Sequence, residues 1–270
     1  MEMFYRDDIL PSMKTKFLKN LRSKSLVLAL PLIVISCAAP SAFNAQTGEV
    51  SMQPASSSIA QQGTQAFASY KKKHRISSNS GARNRVFRVA NRLRPIINLP
   101  GANWEFEVFE DPSANAFALP GGKVGVNTGL LNVAKTDGQL AAVIAHEMAH
   151  VTSNHAQKRI QRNQSIALGG ALLGAVIGGD GSGLGELATA GGNIAFGLTF
   201  SRQQELEADK IGTVFMARAG YNPEEAISLW QNMAAQSKGG NVELLSTHPV
   251  STTRIQALRD FMPYAKQQQR

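Results

Sequence analysis

The spacing of apolar and polar positions along the chain predicts several helices. Apolar residues recur at helical spacing before Pro95, with arginines on the other faces, which indicates an amphipathic helix. A second helix begins with Thr136 as its cap and Gln139 three residues later, and it continues through an apolar stretch. Further helices are predicted to begin at residues 222–225 and after Pro249. The apolar positions of the first helix are Ala82, Val86, Val89, Ala90 and Leu93.

A different pattern, strict alternation, predicts strands between these helices. Residues 104–108 alternate with a period of two, and residues 115–118 and 123–127 also favour an extended backbone. Turn residues separate the three segments, at 111–113 and at 120–122. We expect a small antiparallel sheet beside the helix of residues 136–150. The fold class is therefore α+β and mainly helical.

Residues 166–200 are rich in Gly, Ala and Leu, and residues 166–179 are nearly free of polar side chains. That apolar stretch is shorter than the roughly 20 residues that a membrane-spanning helix needs. We interpret the segment as a buried or interfacial helical hairpin. A lid that touches a membrane is the alternative.

Residues 1–36 are typical of an export signal, with basic residues followed by an apolar run from Leu26 to Ile35. The run ends just before Cys37 and resembles a bacterial lipoprotein signal, which implies cleavage before Cys37 and its lipidation. Ala38 after the cysteine resembles outer-membrane sorting, and Met13 fits the start of such a signal better than Met1. An unlipidated signal or a short uncleaved anchor is the alternative interpretation.

The composition, 43% hydrophobic and 17% charged residues, is that of a globular protein. Residues 37–64 are polar and lack apolar periodicity, so we predict a flexible tether there and a compact domain over residues 65–270. Cys37 is the only cysteine, which excludes disulfides and thiolate metal sites. The net charge is +9, but the basic run from Lys71 to Arg75 lacks interleaved aromatics, so no nucleic-acid partner is predicted.

The strongest chemical signal is the pentad His146-Glu147-Met148-Ala149-His150. On a helix, His146 and His150 lie one turn apart on one face and can bind one metal ion. Glu147 lies about 100 degrees around the axis from His146, where a carboxylate can take a proton from an activated water. The sequence therefore predicts a catalytic zinc site, with one ion per chain.

Such a site needs a third protein ligand. Glu205 and Asp209 stand four apart on one helix face, so one can bind zinc while the other orients a ligand histidine. His155 is five residues past His150 and is expected to be an exposed histidine at the helix end. Glu207 is expected to point elsewhere, into solvent.

With residues 201–209 (SRQQELEAD) following the pentad, the chain resembles the gluzincin metallopeptidases of the HtpX, CAAX-endopeptidase and Oma type. The segments from Asn115 to Gly122 and from Thr247 to Pro249 match that family as well, and the likeness covers about residues 65–261. The resemblance implies a zincin fold, Glu205 as third zinc ligand and Asp209 behind a ligand. It also implies substrate binding along Asn115, Ala116 and Phe117.

Within that family the chain is most similar to the periplasmic lipoprotein branch that includes LoiP and BepA, and it ends at Arg270 without the helical repeats of BepA. The resemblance places His248 near the zinc, either as a donor to the oxyanion or as a reversible ligand that closes the site. A histidine that only caps the turn before the last helix is the alternative. Arg254 is expected to lie behind the ligands with Asp209 and to accompany His248, because a cationic group favours a developing oxyanion.

These observations predict a zinc-dependent endopeptidase that acts on misfolded or mis-assembled envelope proteins, with Glu147 as general base. The lipid anchor would hold it to a membrane, the bacterial outer membrane facing the periplasm. One alternative is an envelope assembly factor whose zinc site is kept closed by His248. Another is a non-proteolytic zinc hydrolase, which would lack the Glu205 and Asp209 pair.

Overall fold

The computed structural model describes residues 42–44, 49–176, 199–236 and 242–269, and the side chains of all of these except 166–176. The predicted signal, Cys37 and most of the predicted hairpin lie outside the described residues. Among the described helices, none is both long and apolar enough to cross a membrane. All the described elements belong to one compact unit.

Helices make up most of the described chain. Besides the helix that carries the pentad, the described residues form six helices of at least 12 residues and one short helix, with short 3-10 turns at Arg94–Ile96 and Thr128–Asn132. The helices are α1 (Ser57–Lys73), α2 (Ser80–Leu93), α3 (Asp137–Thr152), α4 (His155–Val176), α5 (Arg202–Arg218), α6 (Glu225–Gln236), α7 (Leu244–Thr247) and α8 (Thr252–Gln267). The strands are β1 (Glu105–Phe109), β2 (Ala116–Leu119) and β3 (Lys123–Asn127).

The sheet has the order β1-β3-β2, with β3 in the centre. β2 and β3 pair antiparallel across a turn in which Gly121 and Gly122 both have positive φ, a conformation that favours glycine. β1 pairs parallel with β3, so the sheet is mixed and the expected antiparallel pairing holds only for β2 with β3. Two chain reversals give β1 and β3 the same direction, and the fully buried β3 takes the central place that a meander would give to β2. The α+β class and the position of the sheet beside α3 are confirmed.

Helix α3 is the core of the molecule. It is buried from Gly138 to Thr152 and packs against α2, α5, α6 and strands β2 and β3. Thr136 caps it by accepting from the backbone N–H of Gln139, as the sequence predicts. Gly212 lets α5 approach closely, because a Cβ at that position would lie 3.0 Å from the backbone nitrogen of His146. The pentad therefore sits on the most constrained element of the fold.

The chain before Gln65 is not a free tether where the structure describes it. Helix α1 begins at Ser57, and Ala42 and Phe43 are buried in the core. We call residues 42–44 and 49–56 the strap. Gln53 N–H donates to the carbonyl of Thr152 at 2.7 Å, at the end of α3. A segment held by backbone hydrogen bonds shows no apolar periodicity in its sequence. The sequence pattern therefore places the start of the compact domain at residue 65, after the strap and the first turns of α1.

Candidate metal centre

His146 and His150 turn their rings toward one another on the buried face of α3. Their Nε2 atoms lie 3.0 Å apart, and both side chains are buried. Glu205 meets them from α5, with Oε2 at 3.5 Å from His146 Nε2 and Oε1 at 3.4 Å from His150 Nε2. The structure thus brings together the three residues that the sequence proposes as metal ligands.

The first turn of α5 is what holds Glu205 there. Ser201 and Gln204 form a reciprocal capping box, with Ser201 Oγ accepting from Gln204 N–H at 3.3 Å and Gln204 Oε1 accepting from Ser201 N–H at 3.0 Å. The box fixes the helix start at Arg202, three residues before Glu205. The approach permitted by Gly212 then sets the carboxylate against α3.

His248 joins the same cluster from the segment between α7 and α8. Its Nδ1 lies 2.9 Å from Glu205 Oε1 and 3.3 Å from His146 Nε2, and its Nε2 lies 3.4 Å from Glu147 Oε1. One ligand atom from each of His146, His150, Glu205 and His248 lies within 4.8 Å of the other three. His248 is therefore placed where a fourth ligand would be.

The residues present fit a metal ion. Buried imidazole and carboxylate groups that share no partner are costly, whereas one cation satisfies their lone pairs together. Two histidines and a glutamate are a donor set of catalytic zinc sites, and imidazole also suits other transition metals. The site is a metal centre by the chemistry of its donors.

Glu147 lies beside the cluster and is buried. Burial raises the pKa of its carboxyl above the ordinary value, against the opposing charges of His248 and His146 and a backbone hydrogen bond from Ala118. A carboxylate whose pKa is raised is a stronger base, which suits it to accept a proton from water.

Asp209 and Arg254 lie behind His146. Asp209 Oδ1 is 3.0 Å from His146 Nδ1, on the side of the ring away from Glu205. Arg254 contacts Asp209, the backbone carbonyls of His248 and Pro249, and the ring of Trp230. Its guanidinium is thus held by carboxylates and carbonyls on the side of His146 away from the cluster.

The surroundings of the cluster shift the pKa values of His146 and His150 in opposite directions. Burial alone would lower the pKa of His146, but Asp209 and Glu205 raise it to about 9. Burial lowers the pKa of His150 well below its ordinary value. Burial opposes ionisation of Glu205, yet His248 and the two α3 histidines hold the pKa of Glu205 far below its ordinary value. The surroundings therefore favour the charged forms of Glu205 and His146 and the neutral form of His150.

Two residues that the sequence placed in solvent lie at the site. His155 is fully buried, not exposed, and its Nδ1 lies 2.8 Å from His150 Nδ1. Glu207 is mostly buried and accepts from His155 Nε2 at 3.0 Å. The prediction for His155 assumed one continuous helix from His146 to His155. The chain instead turns at Asn154, which has positive φ, before α4 begins, so His155 lies on a different face from the one expected.

A cavity of about 330 Å³ opens beside Glu147 and His248. The predicted substrate-binding residues Asn115, Ala116 and Phe117 line it along the edge strand β2. Asn127 N–H donates to the carbonyl of Asn115 at 3.0 Å. In an antiparallel pair, residues that hydrogen-bond to the partner strand alternate with residues whose backbone N–H and C=O point away from it. The backbone groups of Ala116 therefore point away from β3.

Comparison with known proteins shows related sequences over most of the compact unit. Residues 81–262 match peptidase family M48. Mitochondrial metalloendopeptidase OMA1 of Saccharomyces cerevisiae is 38% identical over 181 residues, which cover 63% of this chain and 50% of that protein. Metalloprotease LoiP of Escherichia coli is 31% identical over 189 residues, covering 68% of this chain and 72% of LoiP.

A third similar protein is the beta-barrel assembly-enhancing protease of Escherichia coli K12. It is 30% identical over 179 residues, which cover 63% of this chain and 36% of that protein. The chain spans about half the length of its fungal OMA1 relatives. The similarity includes the segments that carry the cluster, because residues 81–262 contain all four candidate ligands.

Proposed function

Because this chain belongs to peptidase family M48, we propose that it is a metalloprotease, and specifically a zinc-dependent endopeptidase for misfolded or mis-assembled cell-envelope proteins. The observation that carries the proposal is the convergence of His146, His150 and Glu205, with Glu147 beside them at the cavity. Two imidazoles and one carboxylate are the ligand set that catalytic zinc takes in other peptidases.

The ligands would be His146, His150 and Glu205, and bound zinc supplies Lewis-acid chemistry that polarises a carbonyl and lowers the pKa of water. Glu147 accepts the proton of the attacking water and then delivers it to the leaving amine. His248 donates a hydrogen bond toward the oxygen on which negative charge develops. Asp209, itself fixed by Arg254, holds the ring of His146.

The edge strand β2 would set the orientation of a bound peptide substrate. An extended peptide that pairs with β2 would use the outward backbone groups of Ala116, as in other complexes in which a strand is added to a sheet edge. The Oδ1 atom of Asn115 is buried without a hydrogen-bond partner among the described residues, so it is available to a substrate N–H. Phe117 lines the same cavity and supplies apolar surface.

We propose that the protein is located in the bacterial cell envelope, held to the outer membrane by a lipid anchor at Cys37 and facing the periplasm. The support is the sequence of residues 1–37 together with the similarity to two Escherichia coli proteases, one of which is named for beta-barrel assembly. Protein substrates in the envelope follow from that location. A Cys37→Ala variant that still fractionates with membranes in a bacterial host would argue against the anchor.

A second candidate function is an assembly factor that binds client proteins while His248 keeps the site closed. The observation in its favour is the position of His248 Nδ1, 2.9 Å from Glu205 and 3.3 Å from His146. A Glu147→Gln variant separates the two functions. If catalysis is the function, the variant cleaves neither casein nor clients and fails to rescue a deletion strain; a binding function predicts full rescue.

A further inference from the structure

We infer that His155 and Glu207 are positioning residues for the metal ligand His150, and that the strap fixes the far end of this pair. The inference rests on the proposed metal site and adds to it. It assigns a role to two residues that the proposed mechanism does not use. It also makes the chain before α1 part of the support of the metal centre.

Three buried side chains form an unbroken line away from the cluster. His150 Nδ1 lies 2.8 Å from His155 Nδ1, and His155 Nε2 lies 3.0 Å from Glu207 Oε2. The side chains are 4%, 0% and 14% exposed, respectively. At these distances each contact is a direct hydrogen bond, with no room for a water molecule between the two atoms.

The line permits one arrangement of protons that leaves His150 able to bind a metal. The Glu207 carboxylate only accepts, so His155 Nε2 carries a proton and donates it. His155 Nδ1 is then the acceptor, and His150 Nδ1–H donates to it. This leaves the lone pair of His150 Nε2 directed at the cluster, which is the tautomer that a metal ligand requires.

The strap holds the outer end of the line. Glu207 Oε1 accepts from the backbone N–H of Ala42 and from that of Phe43, the latter at 3.3 Å. Phe43 is anchored by edge contacts with Phe261 and Tyr264 of α8, at ring distances of 5.2 and 6.1 Å. Backbone donors on a buried segment hold the Glu207 carboxylate in one orientation.

The two α3 ligands therefore have separate supports. Asp209, fixed by Arg254, lies behind His146, whereas an imidazole and then a carboxylate lie behind His150. The ring of Phe200 stacks on that of His150 at 4.0 Å, but an aromatic ring cannot select its tautomer. Loss of His155 should consequently weaken metal binding without compensation from the His146 side.

The test compares zinc affinity, by competition with a chromophoric chelator, for the full-length wild type, His155→Phe and Glu207→Gln. His155→Phe keeps a buried ring but removes the acceptor for His150. We expect zinc to bind about 10- to 100-fold more weakly, the usual effect of losing a group that orients a metal ligand. Glu207→Gln should change the affinity in the same direction. The double variant should be about as weak as His155→Phe alone, because the two residues act in series.

Glu107→Gln is the matched control. Glu107 is also 14% exposed and also accepts a charged hydrogen bond, from Arg83 at 2.6 Å, but it lies on β1 away from the cluster. Its variant should bind zinc as the wild type does. Cobalt substitution adds a second readout, since the visible spectrum of the bound cobalt should change in His155→Phe and not in Glu107→Gln.

Wild-type zinc affinity in folded His155→Phe or Glu207→Gln would overturn the inference. If His155→Phe does not fold, Glu207→Gln decides. A wild type that binds no zinc would overturn the proposed function and this inference together. A wild type that binds zinc, with unchanged variants, overturns this inference alone.

Discussion

Arg254 grips Asp209 with two hydrogen bonds, from Nε to Oδ2 and from Nη2 to Oδ1, both at 2.8 Å. A third contact joins Arg254 Nη1 to Glu205 Oε2, also at 2.8 Å. All three side chains are at most 5% exposed. One cation thus balances two buried carboxylates, one proposed as a metal ligand and the other lying behind a ligand.

Replacing Arg254 with Leu should strongly destabilise the metal-free protein, because the buried carboxylates of Asp209 and Glu205 would both lose the guanidinium that contacts them. Removing one partner of a buried ion pair costs about 3–5 kcal/mol. Urea unfolding measures the loss. The control is Arg88→Leu, whose exposed side chain pairs with Asp137 and should contribute about 1 kcal/mol or less. Equal losses for the two variants would contradict the role given to Arg254.

Replacing Gly212 with Ala should separate α5 from α3. The added Cβ would meet the backbone of Ala145 and His146 at 3.0 to 3.2 Å, and backbone cannot move aside as a flexible side chain can. We expect a loss of about 1–3 kcal/mol, as for other overpacked sites, and weaker zinc binding because Glu205 moves with α5.

Gly81→Ala controls for the general effect of alanine in a helix. Gly81 is exposed near the start of α2, where alanine should be neutral or stabilising by up to about 1 kcal/mol. Thermal unfolding of the metal-free proteins ranks the variants. The prediction fails if Gly212→Ala is as stable as Gly81→Ala.

Zinc binding should release a proton and tighten as the pH rises. The pKa of His146 is raised from 6.5 to about 9, so in the metal-free protein His146 holds a proton between these values. Zinc must displace that proton, and apparent affinity should therefore rise up to about tenfold per pH unit until pH 9. The His146 contribution to metal-free stability has the opposite trend, being complete below pH 6.5 and lost as the pH rises through 9.

Calorimetry in two buffers of different ionisation enthalpy measures that proton. At about pH 7.5 we expect roughly one proton released from His146 per zinc bound. His150 adds none, since its pKa is lowered well below 6.5. Binding without proton release would show that His146 is neutral in the metal-free protein.

His248→Ala should separate the two functions assigned to that residue. As an oxyanion donor, His248 supports kcat, and its loss should lower kcat by about 10²–10³ with little change in KM. Steady-state cleavage of a fluorogenic peptide, with zinc content checked in parallel, measures this. A faster variant would instead show that His248 closes the resting site.

The sequence predicts much of this site because helical spacing is local information. His146 and His150 meet since they are four apart on one helix, and Glu205 with Asp209 repeat that spacing on α5. The caps of α3 and α5 are equally local, and they set where each helix begins. Such spacings and caps depend only on neighbouring residues, so they can be predicted without knowing the tertiary arrangement.

What the sequence could not supply depends on contacts between distant segments. The left-handed backbone of Asn154 turns His155 back toward His150, and the strap covers Glu207 with residues more than 160 positions away. The central place of β3 likewise follows from burial and not from alternation. The one sequence signal of this contact was a histidine five residues after His150. That spacing brings the two rings together only because the chain bends at Asn154.

The most direct test of the metal centre and its base is zinc content together with peptide cleavage for purified wild type and Glu147→Gln. We expect about one zinc per chain in both proteins, and a cleavage rate about 10²–10⁴ lower in Glu147→Gln, the usual contribution of a general base. A wild type without near-stoichiometric zinc would contradict the proposed metal centre, and a Glu147→Gln variant that cleaves peptide at the wild-type rate would contradict the role of Glu147 as the base.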